Sequence, residues 1–180
     1  MSRGGRWRHG APDLIDPLIG FRQWRLAGRT LNSMFSHMDW PDAHVTAHCP
    51  TGRHEPTIVP ERSCTCGIYA YYEPCPRTAS AMTPDLLSGA VILWGRIEIH
   101  ATGMRAQHAR IVGLELPLSR GRKRGAVIEA AQCLGIPAVP HRQLTAVALA
   151  HGMPLQRSLR PPRTWNGSEH AWAFSALEET

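Results

Sequence analysis

The sequence predicts an α+β fold with a mainly antiparallel sheet, an irregular Cys-rich segment and a C-terminal helix–strand–helix unit. Three observations predict it. Gly20–Leu26 alternates apolar and polar residues, and Gly89–His100 opens fully apolar and ends alternating, the two signatures of half-buried and buried strands. Four of the five cysteines fall between Cys49 and Cys75, in a stretch rich in Pro and Gly with little periodicity. Beyond Gly125 the apolar spacing becomes helical.

In order along the chain, residues 1–12 carry Arg3, Arg6 and Arg8 among glycines and read as a basic flexible arm. Residues 13–153 read as one domain, since 180 residues suit a single core. Within it, Gly20–Leu26 is the first strand. The segment 43–77 has one regular piece, the β-like run Gly67–Tyr72 directly after Cys66. Gly89–His100 is the strongest strand, followed by a turn at Thr102-Gly103. Met104–Arg110 has no assigned element, and a further strand over Arg110–Leu116 is stopped by Pro117. Ser119–Gly125 reads as a basic loop. Val127, Ile128, Ala131 and Leu134 then line one helical face, with Cys133 expected in the core and Gly135 at the C′ position. Ile136–Val139 is extended, and Pro140 starts a second helix that carries Leu144, Val147, Ala148 and His151 on one face. Residues 154–180 read as an Arg/Pro-rich tail with a short helix around Trp172 and Phe174.

The cysteines carry the chemistry. Cys64 and Cys66 are one residue apart, and a Cys-x-Cys-Gly turn can aim both sulfurs at one point. Zinc takes four ligands in a tetrahedron, thiolate and imidazole being common in structural sites. Cys49, Cys64, Cys66 and His54 are therefore the candidate ligands of a Zn2+ ion. Cys75, held between Pro74 and Pro76, and a water molecule are the alternatives to His54 in the fourth position. Ordering so long an irregular segment costs about 1–2 kcal/mol of backbone entropy per residue, which a metal would offset. Four protein ligands would make the site structural; three would leave a position for catalysis.

Composition bounds the partners. Net charge is +6, which favours polyanions, yet among the 20 basic residues only Lys123 is lysine. That skew fits a GC-rich coding sequence as well as a nucleic-acid binder. The densest positive patch is Arg120, Arg122, Lys123 and Arg124, the candidate nucleic-acid contact. Six tryptophans also suit a protein partner, because Trp and Arg anchor interfaces. No run approaches the roughly 20 apolar residues that span a bilayer, and no apolar segment follows the basic start. The expected setting is the cytoplasm, where thiols stay reduced.

Other motifs are weaker. His44-Val45-Thr46 and His100-Ala101-Thr102 resemble the paired triplets of 2H phosphoesterases, in which two imidazoles serve as acid and base on a phosphodiester. Here His44 lies in a loop context and Thr102 in a turn. Ile128–Pro137 is similar to the start of a helix-turn-helix, but Pro140 falls where a recognition helix should be running. Walker, dinucleotide, Gly-x-Ser-x-Gly and His-Glu-x-x-His motifs are absent. The expected function is thus a non-enzymatic, zinc-stabilised binding or regulatory protein. The enzymatic alternative is a zinc-dependent hydrolase or a phosphoesterase using His44 and His100.

Two stretches carry a resemblance. Cys64-x-Cys66-Gly67-Ile68-Tyr69-Ala70 and Trp94-Gly95-x-Ile97-x-x-His100-x-x-Gly103-x-Arg105-Ala106, followed by Leu134–Pro140, resemble small proteins of actinobacteria and their phages. The resemblance covers about residues 20–152. It implies one module over that span and a mobile-element source, and brings no activity with it.

Overall fold

The structure is a computed structural model that describes residues 16–28, 30–34, 39–75, 85–118 and 121–162. The basic arm, Arg120 and the end of the tail, with Trp172 and Phe174, lie outside the described residues.

The expected first strand is β1 (Leu18–Ala27), whose apolar positions bury Leu18, Ile19, Phe21 and Trp24. It turns through Gly28 into β2 (Thr30–Ser33), which pairs in turn with β3 (Asp39–Trp40). β4 (His44–Thr46) and β5 (Ile68–Tyr71) flank the cysteine segment. Two long strands, β6 (Leu86–Ile99) and β7 (Gly103–Glu115), form the centre of the sheet. Pairing is antiparallel throughout, except for β8 (Ala138–Val139) on the end of β7.

Two strand assignments change. Met104–Arg110 and Arg110–Glu115 are one strand, β7, because its free edge is taken up piecewise by three others. β5 pairs with residues 103–106, β4 with 108–110 and β8 with 114–115. His44–Thr46, expected in a loop, is strand for the same reason: His44 stands opposite Arg110 and Thr46 opposite His108. Tertiary pairing creates an element too short for any pattern to reveal. The sheet also closes on itself. β1 pairs with β6, β6 with β7, β7 with β5, and β5 returns to β1 at Phe21 and Tyr71.

One core gathers Trp24, Leu31, Trp40, Leu87, Val91, Ile111 and Leu114, with Trp24 and Trp40 edge to face at 5.5 Å. The other side of β6 and β7 carries Ile19, Phe21, Ile92 and Val112. The helix–strand–helix unit appears as expected. Helix α1 (Arg122–Cys133) buries Val127, Ala130 and Ala131; α2 (His141–Leu149) buries Leu144 and Ala148 against the second cluster. Each large apolar side chain buried this way contributes about 1.5–3 kcal/mol. Cys133 is exposed, not core: the buried stripe of α1 runs through residues 127, 130 and 131, and Cys133 is turned about 200° from Ala131. The basic run is not all loop either, since α1 begins at Arg122. Past residue 153 the chain stays packed: Leu155 is buried and the Arg160 guanidinium lies 4.2 Å from the Tyr72 ring centre.

The crossing of β5 and β7 leaves no room for a side chain at Gly103, where an added Cβ would meet the Ala70 carbonyl oxygen at 2.3 Å. Gly103→Ala should therefore cost about 1–3 kcal/mol in a urea titration, by forcing the pair apart. Gly125→Ala, in open space on α1, should leave the midpoint unchanged or raise it.

Candidate metal centre

Two loops meet over β7. The first leaves β4 at Thr46, is tied to β7 by the Ala47 N–H donating to the Gln107 carbonyl at 2.7 Å, and turns at Cys49. There the Gly52 N–H donates to the Cys49 carbonyl at 3.0 Å, bringing His54 back toward the cysteine. The second loop turns at Glu61, whose carbonyl accepts the Cys64 N–H at 3.0 Å. It ends at Gly67, whose φ of +116° swings the chain from the cysteines into β5. This is why a glycine follows Cys66.

The result is a cluster of four. One ligand atom each from Cys49, His54, Cys64 and Cys66 lies within 4.8 Å of every other. Cys49 Sγ and Cys64 Sγ are 3.9 Å apart, and Cys66 Sγ and His54 Nδ1 are 3.8 Å apart. These are separations of ligands around one ion, and all three thiols are free. The set can hold a metal ion. Cys75 is elsewhere, buried, its thiol pushed up to about 12 by burial and by Glu115. A neutral, sequestered thiol is a poor ligand. His48 is exposed and outside the cluster.

Polar groups prepare the sulfurs for negative charge. The Thr51 hydroxyl, 3.2 Å from Cys49 Sγ, is the main cause that holds this thiol down to about 5, helped by backbone N–H groups of Thr51 and Arg53. Cys66 is pushed the other way, first by burial and further by Cys64 and Cys49, against the Glu61 N–H that donates to its sulfur at 3.4 Å. Sulfurs this close resist becoming thiolates together, and a cation removes the conflict. A folded-state value below the unfolded one means that the Cys49 thiolate supports the fold fully above the ordinary thiol range. That support is lost as pH falls through about 5. Metal retention, followed with a chromophoric chelator, should be complete at neutral pH and fall on acidification, as protons compete with the ion for the thiolates and the imidazole.

Arg105 is the residue that sequence reasoning left unassigned. It is 3% exposed on β7, beneath the second loop. Its guanidinium donates to the carbonyls of Cys64, Cys66 (3.0 Å) and Glu61 (3.4 Å), and pairs with the Glu98 carboxylate. Its Nε lies 3.3 Å from His100 Nε2, and the Tyr69 ring packs 5.6 Å from the guanidinium. Five donors in a rigid fork suit this role, and an ammonium would not fill it. His100 and Glu98 thus position Arg105, and Arg105 fixes the two-cysteine turn. In sequence Arg105 stands out only by its nearness to Glu98, His100 and His108 and by the motif that holds His100, Gly103 and Arg105 at fixed spacing.

His100 and His44 do not meet. The His100 N–H donates to the Gly103 carbonyl, whereas His44 stands opposite Arg110, about 20 Å further along β7. The pair cannot flank one phosphodiester, so the two-triplet arrangement fails on geometry. His44 instead has His108 as its neighbour, with ring centres 6.3 Å apart.

Of the basic run, Arg122 is exposed at the start of α1, Arg124 donates to the Pro117 carbonyl at 3.0 Å, and burial lowers the Lys123 ammonium. Among the described residues no helix is long and apolar enough to cross a membrane. Comparison with protein-family models, with curated proteins and with solved structures finds no match to this chain.

Proposed function

We propose that Cys49, His54, Cys64 and Cys66 bind one zinc ion that is structural, and that the protein is a non-enzymatic binding or regulatory protein with a nucleic-acid partner. The observation that carries this reading is the four-ligand cluster itself. Sulfurs about 2.3 Å from a tetrahedral zinc stand about 3.8 Å apart, which the 3.9 Å between Cys49 and Cys64 matches. Three soft thiolates and an imidazole favour zinc over calcium or magnesium. With four protein ligands no position is left for a water, so the ion serves the fold and the hydrolase alternative loses its nucleophile. The thiolate set also suits the reducing cytoplasm. On motif resemblance we assign the chain to the small actinobacterial and actinophage proteins described above. The net charge of +6 supports a polyanionic partner.

Cobalt substitution tests the closed site. Cobalt(II) in a tetrahedral three-sulfur, one-nitrogen site absorbs strongly in the visible, and the spectrum should not change when azide or cyanide is added. A spectrum altered by those anions would reveal an open position and restore the catalytic reading.

A further inference from the structure

Further along the side of β6 and β7 on which α2 packs, with Trp94 at the edge of the second cluster, lies an aromatic patch that the metal centre does not explain. Three strands contribute in register. Thr46 on β4 is opposite His108 on β7, which is opposite Trp94 on β6; one step along, His44 is opposite Arg110. Side chains two apart on a strand share a face, so Arg110 and His108 project together, as do His44 and Thr46.

The rings touch. His44 stacks on Trp94 with centres 5.2 Å apart and planes 25° apart; Trp94 stacks on His108 at 5.6 Å and 21°. Thr46 Oγ1 is 3.0 Å from His108 Nδ1, which fixes that imidazole. His44, Thr46 and Arg110 are exposed, and Trp94 and His108 are half-buried. Arg110 makes no ion pair with any described residue, whereas nearby Arg96 is engaged by Glu61 at 3.7 Å.

We infer that this face binds single-stranded nucleic acid, with bases stacking on the Trp94–His44–His108 rings and a phosphate held by Arg110. The inference rests on the binding-protein reading above and names its partner and surface. Aromatic rings at a sheet surface can stack unpaired bases, and any base can use them. A duplex hides its bases' faces, and these rings stand on strands, not on a helix that could enter a groove. Trp and Arg anchor protein interfaces too; what favours a nucleic acid is the conjunction of stacked rings with an Arg110 that pairs with no described acid, in a chain of net charge +6.

The test uses the full chain with its metal bound, in fluorescence-anisotropy titrations with labelled twelve-nucleotide oligouridine and oligothymidine, and a hairpin duplex of equal charge. The single strands should bind and the duplex should bind at least tenfold more weakly. Trp94→Ala and Arg110→Glu should each weaken binding tenfold or more, with Trp94→Phe recovering most of it. Arg110→Ala should lower the salt slope by about one phosphate contact. Arg110 is exposed, so its variants should keep the wild-type melting transition even if Trp94→Ala does not. Wild-type affinity in both Arg110 variants, or loss only on replacing Arg122 and Arg124, would overturn the proposal. So would a metal-loaded, folded wild type that binds no oligonucleotide, and that result would leave the metal centre intact. Metal content measured on the same samples reads the two claims separately.

Discussion

Cys66→Ser is expected to abolish metal binding and, with it, cooperative folding of the domain at room temperature. A structural zinc of this ligand type contributes on the order of 10–16 kcal/mol, as much as the whole stability of an ordinary domain, about 5–15 kcal/mol. The two loops between β4 and β5 contain only one 3₁₀ turn, Pro56–Ile58, and bury few side chains beyond Val59, Cys49 and Cys66. Packing alone cannot offset the entropy of ordering them. Loss of the ion should also release β4 and β5 from β7, and β5 is the strand that returns the sheet to β1. Circular dichroism and a thermal melt should show a broad or absent transition. Cys75→Ser is the control: its thiol lies outside the cluster, so metal content should be unchanged. A Cys66→Ser protein with the wild-type melting temperature would show that these thiols are simply buried apolar groups.

Arg105→Met should be nearly as damaging without touching a ligand. The change keeps an apolar stem but leaves the carbonyls of Cys64, Cys66 and Glu61 without their shared donor and Glu98 without its partner. Removing one member of a buried charged pair costs about 3–5 kcal/mol. Outer contacts of this kind also tune affinity, so metal binding should weaken about 10–100-fold, measured by competition with a chelator of known affinity. Arg105→Lys should recover little, because one ammonium cannot reach three carbonyls and a carboxylate at once. Glu98→Gln keeps a hydrogen-bond acceptor and should be milder. An Arg105→Met protein with normal stability and metal affinity would mean that the loop holds its shape unaided.

The two predictions mark where sequence was informative. Cys49, His54, Cys64 and Cys66 could be read because their meaning is local: soft ligands at short spacing, with a glycine where the chain must turn. β1 and β6 could be read because their burial imposes a pattern along the strand itself. β4 could not, since its three residues are strand only by virtue of β7. The full length of β7 was hidden because Gln107 and His108 interrupt its apolar run, and their partners are distant in sequence: Gln107 donates to the Pro56 carbonyl at 2.9 Å, and His108 stands opposite Thr46 of β4. Arg105 looks like any other arginine of an arginine-rich chain until the backbone it holds is in place. Cys133 was misjudged because a small residue beside Leu134 fits an apolar stripe whose phase only packing decides. The aromatic patch had the same difficulty. His44 and Trp94 are 50 positions apart in sequence and share a surface only through β7.

The central claim is that one metal ion, bound by three thiolates and His54, completes this fold. Elemental mass spectrometry of wild-type protein, purified without added metal and exchanged into metal-free buffer, tests it most directly. The account predicts one zinc per chain in the wild type and none in Cys66→Ser. A wild type that is folded and free of metal would contradict it.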